Sequence, residues 1–253
     1  MRHLFYPAFI LWALACAPKK TELAEDSGPQ TLTFSLDSLV LENCVEGDCA
    51  NLRLVWPMAS GPEKSSLINA KIKEAVTGMM MIGESPSVHR DTLIAQYFKS
   101  YRDFKNEFPD SYGAWEVIVQ GKVTYKSDST LSISVDWMNY LGGAHPNYGQ
   151  NFLNFDPVSG KFLSPEQLVR DEAKLLALAE QKFREFHQVE KGKSLEEDGR
   201  FFLPETGFFL GNSMGFAEEK FKIIYIPYEI GPYAMGFTEL EFTREELGEL
   251  VRW

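Results

Sequence analysis

The residues of this 253-residue chain best able to do chemistry are four histidines and three cysteines, and they are scattered. His3, His89, His145 and His187 stand far apart, with no Cys/His cluster of the kind that holds a catalytic zinc. There is no G-x-S-x-G elbow, no H-E-x-x-H pair, no phosphate-binding glycine loop and no dinucleotide fingerprint. No catalytic set, metal site or cofactor is therefore read from the chain. His145 alone has a suggestive setting, the turn Gly142-Gly143-Ala144-His145-Pro146-Asn147. A general base needs a partner within hydrogen-bond reach, which would require the fold to bring up Asp136 or Glu229. Two other readings stand beside it: His145 and Asn147 tie the loop to itself, or they touch a ligand.

A second loop, Ile226 to Gly236, carries Tyr228, Glu229 and Tyr233 along with Pro227 and Pro232. Amphipathic tyrosines favour binding surfaces, and they serve equally well to close the end of a sheet. If both loops lie at one end of the sheet, Tyr148, Tyr228, Glu229 and Tyr233 line a single patch beside His145 and Asn147.

The cysteines speak of compartment. Arg2 and His3 precede an apolar run, Leu4 to Ala15, of signal-peptide length and too short to span a bilayer. It ends at Ala13-Leu14-Ala15-Cys16, which resembles a bacterial lipobox with Ala13 in place of the usual leucine. Cys16 is then the acylated residue, anchoring the protein through lipid alone; an ordinary secretory signal cut near Ala15 is the alternative. Cys44 and Cys49 remain, a close pair around Gly47-Asp48. In an exported chain they are expected as a disulfide. The net charge is -11, and loss of residues 1–15 removes only the charge of Arg2, leaving about -12. That disfavours a nucleic-acid partner and direct adhesion to anionic lipid, and suits a cationic partner.

The elements that must position these residues follow from periodicity. Residues 16–30 read as a tether. Leu32, Phe34 and Leu36 alternate as a strand, and Leu52, Leu54 and Trp56 form its hairpin partner across the cysteine turn. Residues 66–82 read as a helix, followed by a second with the stripe Ile94, Tyr97, Phe98, Tyr101, Phe104 and Phe108. Trp115, Val117, Val119, Val123 and Tyr125 share one strand face, matched by Leu131, Ile133, Val135 and Trp137. Ser164-Pro165-Glu166-Gln167 is a capping box that opens a helical region with the stripe Leu175, Ala179, Phe183 and Phe186. Phe201 to Leu210 reads as a strand pair, Phe221 to Ile226 as a central strand and Phe237 to Phe242 as another. Thr243 to Glu246 caps a short final helix. The expected fold is α+β, an antiparallel sheet with helices on one face. The expected division is residues 1–15 as signal, 16–30 as tether, 31–141 as an N-terminal subdomain and 142–253 as a C-terminal one.

Tyr140 to Asn147 (YLGGAHPN), Phe155 to Leu168, and Pro227 to Gly236 (PYEIGPYAMG) resemble the extracytoplasmic domain shared by RsiV-type lysozyme-sensing anti-sigma factors and PdaC-type peptidoglycan deacetylases. The N-terminal half is similar to the region that commonly precedes it, so the resemblance covers roughly residues 31–251. It implies an α+β envelope module and, in one branch, lysozyme binding. The deacetylase chemistry of that family belongs to a separate domain with Asp and His-x-x-x-His metal ligands, absent from this sequence. The expectation is a monomeric, exported lipoprotein on a bacterial membrane, facing periplasm or exterior, that binds a peptidoglycan fragment or a cationic lysozyme-like protein. A cell-wall hydrolase or esterase using His145 with a carboxylate partner is the alternative.

Overall fold

Two runs of alternating apolar residues, joined by the cysteine turn, begin the fold. They form β1 (Thr33–Val45) and β2 (Asp48–Ser60), paired antiparallel so that Cys44 faces Cys49 across the hairpin. The two are joined as a disulfide. The computed structural model describes residues 31–80, 89–111 and 113–253. The expected signal, the tether and Cys16 lie outside these, as do residues 81 and 82 of the first expected helix.

After β2 the chain crosses through α1 (Ser65–Gly78) and α2 (Arg90–Glu107) before re-entering the sheet as β3 (Trp115–Lys126). Such a crossover returns the chain to the end it left, so β3 runs parallel to β2. The expected α+β sheet is thus antiparallel apart from this one pair. β4 (Leu131–Tyr140), β5 (Asn147–Phe155) and the short β6 (Phe162–Leu163) complete a six-stranded sheet in sequence order. Ile68, Ile72 and Val76 of α1 and Tyr97 and Tyr101 of α2 pack on Leu52, Leu54, Val117, Val119, Ile133 and Val135. Each fully buried aliphatic side chain here contributes about 1.5–3 kcal/mol. Lys105, 4% exposed, ties α2 to the tip of the first hairpin through Asp48 at 2.7 Å.

The second core is built on α4 (Glu172–Phe186), which follows the single turn α3 (Pro165–Leu168). Leu175, Ala179 and Phe183 of α4 are fully buried against a second, three-stranded sheet. Its strands are β7 (Ser213–Ala217), β8 (Lys220–Tyr225) and β9 (Thr238–Phe242), with β8 central as expected. The single turns α5 (Leu195–Asp198) and α6 (Arg244–Leu247) close it, α6 under the Thr243/Glu246 capping box. The expected strand pair at residues 201–210 is irregular chain instead; the partner of β8 is β7, joined through Glu218 and Glu219, both at positive φ. Phe108 and Phe186, expected in the core, are about half exposed at the ends of their helices, and Leu36 is exposed on the edge strand β1.

The second sheet sits on the outer face of the first, opposite α1 and α2. Ser132 and Ser134, on the polar face of β4, are consequently buried. A register shift between Val123 and Tyr125 turns Tyr125 onto that outer face, where it stacks on Phe216 at 4.8 Å; the expectation that both residues share one face is corrected. β7 is an edge strand, and its outward backbone groups need partners. Side chains of the first sheet supply them: Asn154 Nδ2 donates to Met214 O, Ser132 Oγ accepts from Phe216 N, and Thr124 Oγ1 donates to Phe216 O. The two cores are interleaved in sequence, since Tyr125 belongs to the second while Leu153 and Phe155 belong to the first.

Candidate functional site

The seating of one sheet on the other brings two distant loops together. The first joins β4 to β5 and contains His145; the second joins β8 to β9 and contains Tyr228 and Tyr233. Gly142, at φ 79°, lets the first loop bend where a Cβ would lie 3.2 Å from Trp115 Nε1. The second loop is braced from within by Glu229. One carboxylate oxygen accepts from Asn212 N at 3.0 Å and Asn212 Nδ2 at 3.1 Å, and the other from Ile226 N at 3.0 Å. This brace holds Tyr228 at φ 71°, a left-handed conformation uncommon for an aromatic residue, and leaves its ring 55% exposed.

At the junction the His145 ring stacks on Tyr233 with centroids 3.7 Å apart. Tyr228 lies 5.7 Å from Tyr233, and Tyr148 lies edge-on to it at 5.5 Å. The Tyr233 hydroxyl donates to Pro146 O at 2.9 Å, fixing the loops to each other. His145 Nδ1 lies 3.0 Å from Pro146 O, and a carbonyl only accepts, so Nδ1 carries the proton. Nε2 lies 3.4 Å from the Tyr228 hydroxyl. Both imidazole nitrogens are thus occupied by loop partners, and neither is hydrogen-bonded to Asp136 or Glu229.

His145, Tyr148, Tyr228 and Tyr233 therefore form one partly exposed aromatic shelf. Glu229 contributes its carboxylate to the loop brace rather than to the shelf. Asn147 pairs across the hairpin, its Nδ2 donating to Asn139 Oδ1 at 3.3 Å. Sequence reasoning missed Phe237, whose ring is 5.2 Å from Tyr148 and extends the shelf. Its position at the junction of loop and strand left it read as strand alone.

His187 has a structural setting. Its Nε2 meets Thr238 Oγ1 at 2.8 Å, its ring packs on Phe183, and burial pushes its pKa down. Among the described residues, Glu42, Cys44 and Cys49 form a group close enough to share a metal ion. Both sulfurs are spent in the disulfide, so the donor set does not suit a metal.

Comparison with known proteins places this geometry. The family described as Deacetylase PdaC matches residues 44–148, and that described as Protein of unknown function (DUF3298) matches residues 163–245. Peptidoglycan-N-acetylmuramic acid deacetylase PdaC of Bacillus subtilis (strain 168) is 21% identical over 165 residues, 63% of this chain and 34% of that protein. The chain thus spans about a third of the length of the curated relative it matches. A DUF3298 family member from Bacteroides fragilis NCTC 9343 superposes with a TM-score of 0.65 at 19% identity, covering 88% of this chain and 96% of that one. A DUF3298 family protein from Pseudomonas aeruginosa PAO1 gives 0.59 at 19%, covering 89% and 95%. At such identities the likeness is one of fold. The chain thus has a region similar to the PdaC family followed by one similar to the DUF3298 family, on a fold that solved DUF3298 proteins share.

Proposed function

We propose that the protein is a non-catalytic, extracytoplasmic binding module, held on a bacterial membrane by lipid on Cys16, that captures an envelope ligand on the aromatic shelf. The observation that carries this reading is the shelf itself: partly exposed rings from two loops, one braced by the hydrogen bonds of the Glu229 carboxylate and bearing a tyrosine in a left-handed backbone. Such rigid, amphipathic rings supply contact area at small entropic loss. A peptidoglycan fragment is the favoured ligand, since flat ring faces suit sugars and the curated relative is named for acting on peptidoglycan. A cationic lysozyme-like protein suits the net charge of -11. The protein is taken as a monomer. The alternative hydrolase or esterase needs a carboxylate on His145, whereas the imidazole is occupied by Pro146 O and the Tyr228 hydroxyl.

The test is retention of purified protein on insoluble peptidoglycan and on immobilised lysozyme. Truncating a central interface tyrosine removes ~2 kcal/mol or more, about thirtyfold in affinity. Tyr228→Ala and Tyr233→Ala should each weaken binding by about that factor and leave the melting temperature nearly unchanged for Tyr228, which is the more exposed ring. Alanine at Tyr228 keeps the same backbone penalty as any non-glycine residue, so the readout reports the ring. Unaltered binding in both variants would remove the shelf from the function.

A further inference from the structure

Next to the shelf the outer face of the first sheet continues uncovered, and there it forms a groove. Strand register places Gln120, Asp136 and Gln150 in one row across β3, β4 and β5. Tyr148 lies in the adjoining row, and Phe237 and Glu239 of the second sheet form the facing wall. The groove holds about 410 Å³, within the range of small-molecule sites. Tyr148 belongs to groove and shelf alike, so a ligand on one reaches the other.

The charges in the groove are uneven. Lys222 is paired with both Glu239 and Glu241, and Lys220 is paired with Glu241. Asp136 takes part in none of the ion pairs among the described residues. Burial pushes its carboxyl up, against a hydrogen bond from Gln150 and the pull of Lys122, with Glu239 adding to the rise. This half-buried carboxylate thus has no cation in ion-pair contact, Lys122 acting on it only from farther off, on a protein whose net charge is already -11. Gln120 and Gln150 offer amide donors and acceptors of the kind that hydroxyl groups use. The rings of Tyr148 and Phe237 offer apolar faces.

We propose that this groove is a subsite for an amine-bearing sugar of a glycan chain, with the ammonium at Asp136, hydroxyls at Gln120 and Gln150, and the sugar ring against Tyr148 and Phe237. The assignment rests on the binding-module reading and adds to it the chemical class of the bound residue. Rings and amides flanking the carboxylate set a sugar apart from a bare cation. Charge complementarity selects the free amine over its N-acetylated form, which has no charge to offer Asp136.

The experiment is calorimetric titration of the full chain, in weakly acidic low-salt buffer, with a glucosamine oligosaccharide and with its fully N-acetylated counterpart. A charge-assisted hydrogen bond to Asp136 should make the amine form bind about tenfold tighter or more. Asp136→Asn should abolish that preference without moving the melting temperature. Equal binding of the two sugars, binding of neither, or a preference that survives Asp136→Asn would overturn the subsite. So would a lysine-rich peptide that competes as well as the amino sugar, since charge alone would then suffice. Failure here with retention on peptidoglycan intact and still dependent on Tyr228 removes only the subsite. Loss of all retention removes the binding reading itself.

Discussion

Replacing Asn154 by alanine should loosen the seam on which the shelf depends. Asn154 is 4% exposed and joins the two sheets: its Oδ1 accepts from Ser132 Oγ at 2.5 Å and its Nδ2 donates to Met214 O at 2.8 Å. Alanine removes two neutral hydrogen bonds, each worth about 1 kcal/mol net, and strands the Met214 carbonyl at about 1–3 kcal/mol more. The expected loss is about 3–5 kcal/mol, because no strand among the described residues lies beyond β7 to take over. For a folded unit of this size each kcal/mol lowers the melting temperature by roughly 2–4 °C, so a fall of roughly 10 °C is expected. Scanning calorimetry measures it, and a double-mutant cycle with Ser132→Ala tests the cause. Since Ser132 also accepts from Phe216 N, the two changes should be coupled by more than about 0.5 kcal/mol. A fall below about 2 °C, or strict additivity, would refute the view that these side chains satisfy the edge of β7.

Three further outcomes are expected. Lys220 and then Lys222 hold the Glu241 carboxyl down to about 2 from its ordinary 4.5. Its ionised form stabilises the fold fully above about pH 4.5 and progressively less as pH falls towards about 2, so the decline in melting temperature over that window should be shallower in Glu241→Gln; identical slopes would contradict it. Cys44 and Cys49 should resist alkylation in denatured protein until a reductant is added, and removing both should destabilise the fold by about 2 kcal/mol through loss of a short closed loop; free thiols in oxidised preparations would count against the pairing. Cys16→Ser should move the protein from the membrane to the soluble fraction of cells, and wild type already soluble would end the lipoprotein proposal.

Much of the local structure was written in short-range patterns. The aromatic stripe of α2, the stripe of α4 and the capping boxes at Ser164 and Thr243 depend on residues three or four apart, where one turn of helix decides the outcome. The alternation in β2, β3 and β4 and the Cys44–Cys49 turn likewise depend on neighbours across a hairpin. β7 escaped notice because the hairpin to β8 turns through Glu218 and Glu219, at φ 52° and 61°, where glycine or asparagine is the usual signal. The site residues divide in the same way. His145, Tyr148, Tyr228 and Tyr233 stood out because glycine and proline fix the loops that bear them. Glu229 stood out too, yet whether its carboxylate meets a ligand or braces its own loop depends on Asn212, which only folding brings near.

The amino-acid sequence by itself determined the types of element, the family resemblance, the cysteine pairing and the loops worth watching, since each is encoded within a turn or a hairpin. Only the tertiary structure decided that β3 runs parallel to β2, that Ser132 and Asn154 are buried, and that Asp136 faces Glu239 across a groove. The stacking of His145 on Tyr233 belongs to the same class. The parallel pair follows from the helical crossover through α1 and α2, and the rest from the seating of the second sheet on the first, where Asn154, Ser132 and Thr124 meet the free edge of β7. Hydrophobic periodicity records which face of a strand is apolar, but it carries no record of what will cover the polar one.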